Sequence, residues 1–270
     1  MKTLQNHTLI YDNECPMCNI YSKGFIKSGM LDESGREAFT ELSFKNKSLI
    51  DFNRAKNEIA LVDHNKNKVV YGLDSLLLII GNSFPFLEKI ARISPLYWFF
   101  KKLYSFVSYN RKQIIPSKKD DTDQSCVPDF NLKYRVVYIM VVVFFSAYIL
   151  SLFTAKLGLN LEHNFLREFI VCLGQIAWQT VFLKAYLKEK FWNYLGNMMT
   201  VSMIGTLLLI PVLFINLNPT FNIIYFGIVV SIMFLEHLRR CKILKLNYLP
   251  TISWTLFRMT ALAIIIWLNH

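Results

Sequence analysis

The chain has 270 residues, 53% of them apolar, and a formal net charge of +11. That length holds one or two domains, and the apolar share is high for a chain living wholly in water. The positive charge does not point to nucleic acid. Lys184, Lys188, Lys190, Arg239, Arg240, Lys242 and Lys245 sit at the ends of apolar segments, where the positive-inside bias puts them, and no basic stripe accompanies a nucleic-acid-binding motif. No nucleic-acid partner is expected.

The charge is unevenly spread. Residues 1–132 carry 18 Lys/Arg and 15 Asp/Glu, the mixed profile of a soluble domain. Residues 133–270 carry 12 and 4, between long uncharged runs, the profile of a membrane domain. The start, MKTLQNHTLIYDNEC, has neither the apolar run nor the small-residue cleavage site of a secretory signal, so the first part is expected to stay on the side where it is made.

In chain order, His7–Tyr11 reads as a short buried strand running into Asp12-Asn13-Glu14-Cys15. From Cys15 to about Ser28 the apolar positions, Ile20, Phe25 and Ile26 among them, have helical spacing. Phe39–Phe44 alternates and predicts a second strand. Asn57–Asp63 and Lys68–Tyr71 flank the polar turn His64-Asn65-Lys66-Asn67, a hairpin pattern, and Ser75–Ile80 opens another helix. The order β-α-β-(short helix)-β-β-α predicts a mixed sheet packed by helices. Pro95–Arg111 is aromatic and basic. It is expected to be a helix whose stripe at Trp98, Phe99, Lys102 and Phe106 packs on the soluble domain, the other reading being an interfacial helix on an anionic membrane. Residues 117–129 are polar and Pro-containing, which predicts a linker.

Five apolar segments follow, at about 134–155, 165–187, 192–217, 220–238 and 249–268, each near the roughly 20 residues that cross a bilayer core. Basic residues precede the first segment (Arg111, Lys112, Lys118, Lys119, Lys133, Arg135) and gather after the second and fourth. The first loop holds only Lys156 and Arg167, and the loop NLNPT holds none. This alternation predicts a multi-pass integral membrane protein whose N-terminal domain is cytoplasmic.

Cys15-Pro16-Met17-Cys18 is the close cysteine pair among the five cysteines. At a helix start the unpaired N–H groups and the dipole favour a thiolate, and three residues along a helix bring the second sulfur within reach of the first. Pro16 suits the first helical position, where its missing N–H costs nothing. Cys15 is then the exposed nucleophile and Cys18 the buried resolving thiol. Asp12 would cap the helix or assist proton transfer at Cys18. A zinc site is the weaker reading, because the pair supplies two of four ligands and His7, His64 and Cys126 are scattered. A structural disulfide does not suit a cytoplasmic domain. No metal and no cofactor are expected.

Tyr11-Asp12-Asn13-Glu14-Cys15-Pro16-Met17-Cys18 resembles the D-x-x-C-x-x-C signature of the DCC family of thiol-disulfide oxidoreductases, which are regarded as thioredoxin-like. The resemblance extends to Leu61-Val62-Asp63, Val70-Tyr71-Gly72, Tyr104 and Tyr109-Asn110-Arg111, about residues 6–115. It implies protein-disulfide reductase chemistry on Cys15 and Cys18, with Asp12 as the third site residue and Tyr11 and Pro16 in support. The substrate class is then a thiol or disulfide, protein or small. Thioredoxins place a cis-proline before a central strand. No proline occurs between Pro16 and Pro85, so substrate docking must differ. The C-P-x-C order also resembles glutaredoxins, which leaves a glutathione-linked reaction open.

In the membrane half, Glu168, Cys172, Gln175 and Gln179 share one helical face, as do Asn193, Asn197 and Thr200. Such faces usually hydrogen-bond inside a bundle, a ligand or quinone-like site being the alternative. Arg258 is expected to snorkel towards the cytoplasmic face or pair with Glu236. Single Cys126, Cys172 and Cys241 do not form a relay. The sequence thus predicts an α/β thioredoxin-like domain (1–115), a linker (116–132) and an all-α transmembrane helical bundle of about five spans (133–270). The function expected is a membrane-anchored thiol-disulfide oxidoreductase in a lipid bilayer. The alternative is a transporter or redox sensor whose soluble domain binds a partner without turnover.

Overall fold

A computed structural model describes residues 2–116, 126–158 and 163–268. By packing the chain divides into two compact units, residues 1–134 and 135–270.

The first unit is a four-stranded mixed sheet with helices. Strands β1 (His7–Tyr11), β2 (Arg36–Ala38), β3 (Ala60–Asp63) and β4 (Lys68–Tyr71) lie in the order β2-β1-β3-β4. β1 pairs parallel with β2 (Leu9 opposite Arg36) and antiparallel with β3 (Leu9 opposite Leu61), and β3 pairs antiparallel with β4 (Leu61 opposite Val70). A parallel neighbour needs a crossover, and helix α1 (Pro16–Lys27) supplies it. This is the expected thioredoxin-like βαβ–ββα arrangement. Leu9, Leu61, Leu31 and Ile79 form the core under one face, with Tyr21, Phe25 and Ile26 of α1 against it. Ile20, expected among the apolar positions of α1, is exposed instead.

The second strand lies earlier than Phe39–Phe44. Phe39–Glu41 is a 3-10 turn, and helix α2 (Phe44–Leu49) follows because Ser43 caps it by accepting from the Asn46 N–H. Glu37 in β2 accepts from the Ser43 N–H and the Asn46 amide, which ties the strand to this cap. Capping chemistry overrode alternation here. Helix α3 (Phe52–Asn57), capped by Asp51, leads into β3. The β3–β4 turn is held by Asp63 Oδ1, which accepts from the Asn65 and Lys66 N–H groups. After β4, Gly72 takes φ +67, and a Cβ there would stand 3.0 Å from Glu58 Oε2, so a side chain would be strained and crowded. Helices α4 (Leu73–Ser83), α5 (Pro85–Ala91) and α6 (Ser94–Ile114) complete the unit.

Residues 117–125 of the expected linker lie outside the described residues. The remainder is not a free strand of linker. Asp129 exchanges hydrogen bonds with Asn57, and Cys126 is buried in the cluster of Ile10, Phe39, Ala55 and Val62.

The second unit is built from long helices: α7 (Leu132–Thr154, whose first residues belong to the first unit), α8 (Phe165–Leu187), α9 (Phe191–Leu213), α10 (Pro219–Ile243) and α11 (Leu249–Leu268). Four stretches are long and apolar enough to cross a membrane: 132–154, 165–213, 219–243 and 249–267. The 49-residue stretch joins α8 to α9 through a 3-10 turn at Lys188–Lys190, where Lys188 has φ +47. Val141, Val181, Ile224 and Leu235 are exposed, whereas polar side chains are turned inward. Tyr138 and Thr200 hydrogen-bond at 2.6 Å, Thr206 donates to Ser146 at 3.0 Å, and Arg240 donates to Asn197 at 2.9 Å. Glu168, Gln175, Gln179, Asn197 and Thr200 are buried as expected, but Asn193 is exposed. Cys241 lies buried inside α10. Arg258 does not meet Glu236, which pairs with Arg239 and Arg240. It lies 4.6 Å over the Trp254 ring and donates to Ser202.

Candidate active site

β1 ends at Tyr11, and the turn it enters is folded around one carboxylate. Asp12 Oδ1 accepts from the N–H groups of Glu14 (3.1 Å) and Cys15 (3.2 Å), which bends the chain into the start of α1. Cys15 occupies the N-cap position with an extended backbone, Pro16 begins the helix, and the Cys15 carbonyl accepts its first helical bond from Asn19. Asp12 therefore shapes the turn that leads into the helix, using its carboxylate on the N–H of the N-cap residue itself. The sulfurs of Cys15 and Cys18 and an Asp12 oxygen all lie within 4.8 Å of one another.

Neither sulfur is free to the outside. Cys15 is 0% exposed and Cys18 7%. The expectation of an exposed Cys15 is thus corrected: Cys15 is fully buried, and the neighbouring cavity of about 190 Å³ is lined by Cys18, Met17, Tyr21, Tyr104 and Arg111 but not by Cys15. Access from that side reaches Cys18 first.

The thiols are electrostatically unequal. A hydrogen bond from the Cys18 thiol is the largest influence on Cys15. It outweighs burial and, with a backbone bond and the Arg111 charge, brings the Cys15 pKa from 9.0 down to about 6. Cys18 moves the other way: donating to Cys15, and its own burial, raise its pKa far above the ordinary thiol value. The pair thus shares one proton, held on Cys18.

Asp12 Oδ2 faces two cations from the far end of α6, Arg111 Nη2 at 3.3 Å and Lys112 Nζ at 3.4 Å, and Lys112 also reaches Glu14. Arg111 is buried. Its Nη2 also donates to the carbonyls of Lys56 and Cys126, each at 2.9 Å, and its Nη1 to Ser108. Cys126, expected to be scattered from the pair, has its sulfur 3.5 Å from the same guanidinium, and burial pushes its pKa up to about 12. Sequence reasoning noted Arg111 without a role and placed Cys126 in a linker. Nothing in local spacing pairs Asp12 with a residue so distant in sequence. Tyr11 lines the cavity, and its hydroxyl accepts from Arg36, whose guanidinium lies 4.4 Å over the Tyr11 ring.

Before β3, where a thioredoxin carries its proline, stands Ile59. Its N–H donates to the Tyr104 hydroxyl at 2.9 Å, and burial pushes the Tyr104 pKa up to about 12, so the hydroxyl stays neutral. As metal ligands the residues present fit poorly. Asp12, Cys15 and Cys18 supply three donors, but both Asp12 oxygens are already engaged by N–H groups and cations. His7 and His64 face Asp63 and Thr8.

Residues 9–116 match the family described as DCC1-like thiol-disulfide oxidoreductase. Over those residues the chain is similar to that family. The match takes in Asp12, Cys15, Cys18, Tyr104 and Arg111, and it ends before α7. No curated protein and no solved structure matches the chain. Within the matched residues the D-x-x-C-x-x-C residues are therefore the ones brought into a single cluster, and α6 closes it from the other end of the domain sequence.

Proposed function

We propose that this protein is a membrane-anchored thiol-disulfide oxidoreductase of the disulfide-reducing kind, with its DCC1-like domain on the cytoplasmic side. The observation that carries the reading is the split of the Cys15–Cys18 pair into a stabilised thiolate and a protonated partner within 4.8 Å of Asp12. The Cys15 thiolate attacks one sulfur of a substrate disulfide, a Cys15–substrate disulfide forms, and the other substrate sulfur leaves as a thiolate. Asp12 takes the Cys18 proton and passes it to that leaving thiolate. Cys18 then attacks the Cys15 sulfur and the second substrate thiol is released, protonated from solvent. The substrate gains two electrons and two protons, and the protein is left as the Cys15–Cys18 disulfide. A thiol of low potential must reduce it again. Four stretches long and apolar enough to cross a membrane, and basic residues gathered in alternate loops, support the anchoring and its orientation.

The burial of Cys15 favours a second reading, a redox sensor in which the pair changes state without turnover. Full-length protein in bilayers, equilibrated in dithiothreitol buffers of graded potential and trapped with an alkylating agent, should give a two-electron couple that disappears in Cys15→Ser and in Cys18→Ser. Catalytic reduction of a small aromatic disulfide by the same protein then separates the readings. A reversible couple with no turnover leaves the sensor, and no couple at all rejects both.

A further inference from the structure

Helix α6 has two characters. Its second half carries Tyr104, Ser108 and Arg111 into the dithiol pocket. Its first turns, with α5 before them, are apolar on the outside: Phe86 is 70% exposed, Trp98 63% and Phe99 53%, and Ile90, Ile93 and Leu103 are exposed beside them. The expectation that these aromatics pack on the soluble domain is thus reversed for Trp98 and Phe99. What the hairpin bonds to the domain are two polar side chains, Arg92 and Tyr97. Arg92 pairs with Asp74 of α4 and with Glu88, and the Tyr97 hydroxyl donates to Asp74. A helix pair that leaves this many large apolar side chains exposed has an apolar partner outside the domain.

Charge says what that partner is. From residue 89 to residue 113 the sequence has no Asp or Glu, and Lys89, Lys101 and Lys102 lie among the exposed apolar side chains. Lys101 and Lys102 stand 5.9 Å from the Tyr97 and Trp98 ring centres. Exposed Trp and Phe with interleaved lysines suit the headgroup layer of an anionic bilayer, where rings enter the acyl boundary and ammonium groups meet phosphates. The chain also runs from Cys126, held in this domain, into α7 at Leu132, so the domain is tethered close to any bilayer that α7 enters.

We infer that α5 and the first turns of α6 form a docking face for an anionic bilayer surface. The inference rests on the membrane-anchored reading and adds to it a peripheral contact of the redox domain itself. Docking fixes the height of the dithiol pocket above the lipid, because one helix carries both the contact and Arg111.

The test uses the full chain in vesicles of phosphatidylcholine and phosphatidylglycerol. Trp98 is the one tryptophan of the first unit, the others being Trp178, Trp192, Trp254 and Trp267. The emission lost in Trp98→Phe therefore reports the docking face, and the remaining emission reports the helical unit. Brominated lipid should quench the Trp98 part while aqueous iodide leaves it bright. Lys101→Gln should shift the docked-to-undocked ratio by about fivefold, and removing phosphatidylglycerol, which acts on Lys89, Lys101 and Lys102 together, by clearly more. Quenching of Trp98 by iodide alone, or by neither agent because another protein surface covers it, overturns the inference. If brominated lipid quenches none of the other four tryptophans, the membrane-anchored reading itself fails, which is a separate outcome.

Discussion

Arg111 reaches back to Asp12, Nη2 to Oδ2 at 3.3 Å, and both side chains are buried. One contact thereby joins the last helix of the N-terminal domain to the turn that opens its first helix, and sets a fixed positive charge beside two thiols. Removing one partner of such a pair leaves a buried charge uncompensated, which costs about 3–5 kcal/mol. Arg111→Leu should therefore loosen the domain, with Arg111→Lys recovering part of the loss. Cys126 provides the readout, since it is buried against the same guanidinium and its thiol is held protonated. Alkylation of Cys126, followed by mass spectrometry across a urea series, should begin at clearly lower urea in Arg111→Leu. An unchanged onset would mean that the pair holds nothing together.

The Cys15 thiolate owes most to the hydrogen bond from Cys18. Cys18→Ala removes that donor and should raise the Cys15 pKa from about 6 towards the ordinary 9.0, while Cys18→Ser, which keeps a hydroxyl donor, should fall between. The pH dependence of iodoacetamide inactivation measures this directly, with Cys15→Ser as the blank. A profile indifferent to residue 18 would refute the shared proton.

The same shifts set the pH dependence of the reduced domain's stability. Cys15 has a folded pKa below its unfolded one, so its contribution is complete above pH 9 and is lost as pH falls through about 6. Cys18 has a raised folded pKa, so its contribution is present below 9 and is lost as pH rises beyond it. Reduced protein should be more stable at pH 8 than at pH 6, and weaker again above 9. Urea midpoints should show that rise, and Cys15→Ser should flatten the part between pH 6 and 8.

Tyr104 holds the Ile59 N–H at the entrance to β3. Tyr104→Phe keeps the ring and removes the acceptor, leaving a donor unpaired at a cost of about 1–3 kcal/mol. The cavity beside Cys18 should keep its shape, so the couple of the dithiol should survive while the urea midpoint falls. Loss of the couple with an unchanged midpoint would give the hydroxyl a different role.

By itself the sequence determined the element order, the dithiol and the long apolar helices. Those rest on local chemistry: Pro16 at a helix start, the polar turn between Asp63 and Lys68, and uncharged runs of spanning length. It misplaced the second strand, because Ser43 and Glu37 build a helix cap that competes with alternation over Phe39–Phe44. Only the tertiary structure decided how the site is electrically built. Asp12, Arg111, Lys112 and Cys126 come from three separated stretches of chain, and no periodicity links them. It also decided that Cys15 is covered and that Trp98 and Phe99 face outward, since burial depends on which face of a helix finds a partner. Arg92 and Tyr97 of that hairpin bond to Asp74 of α4, while Trp98 and Phe99 were left to the outside.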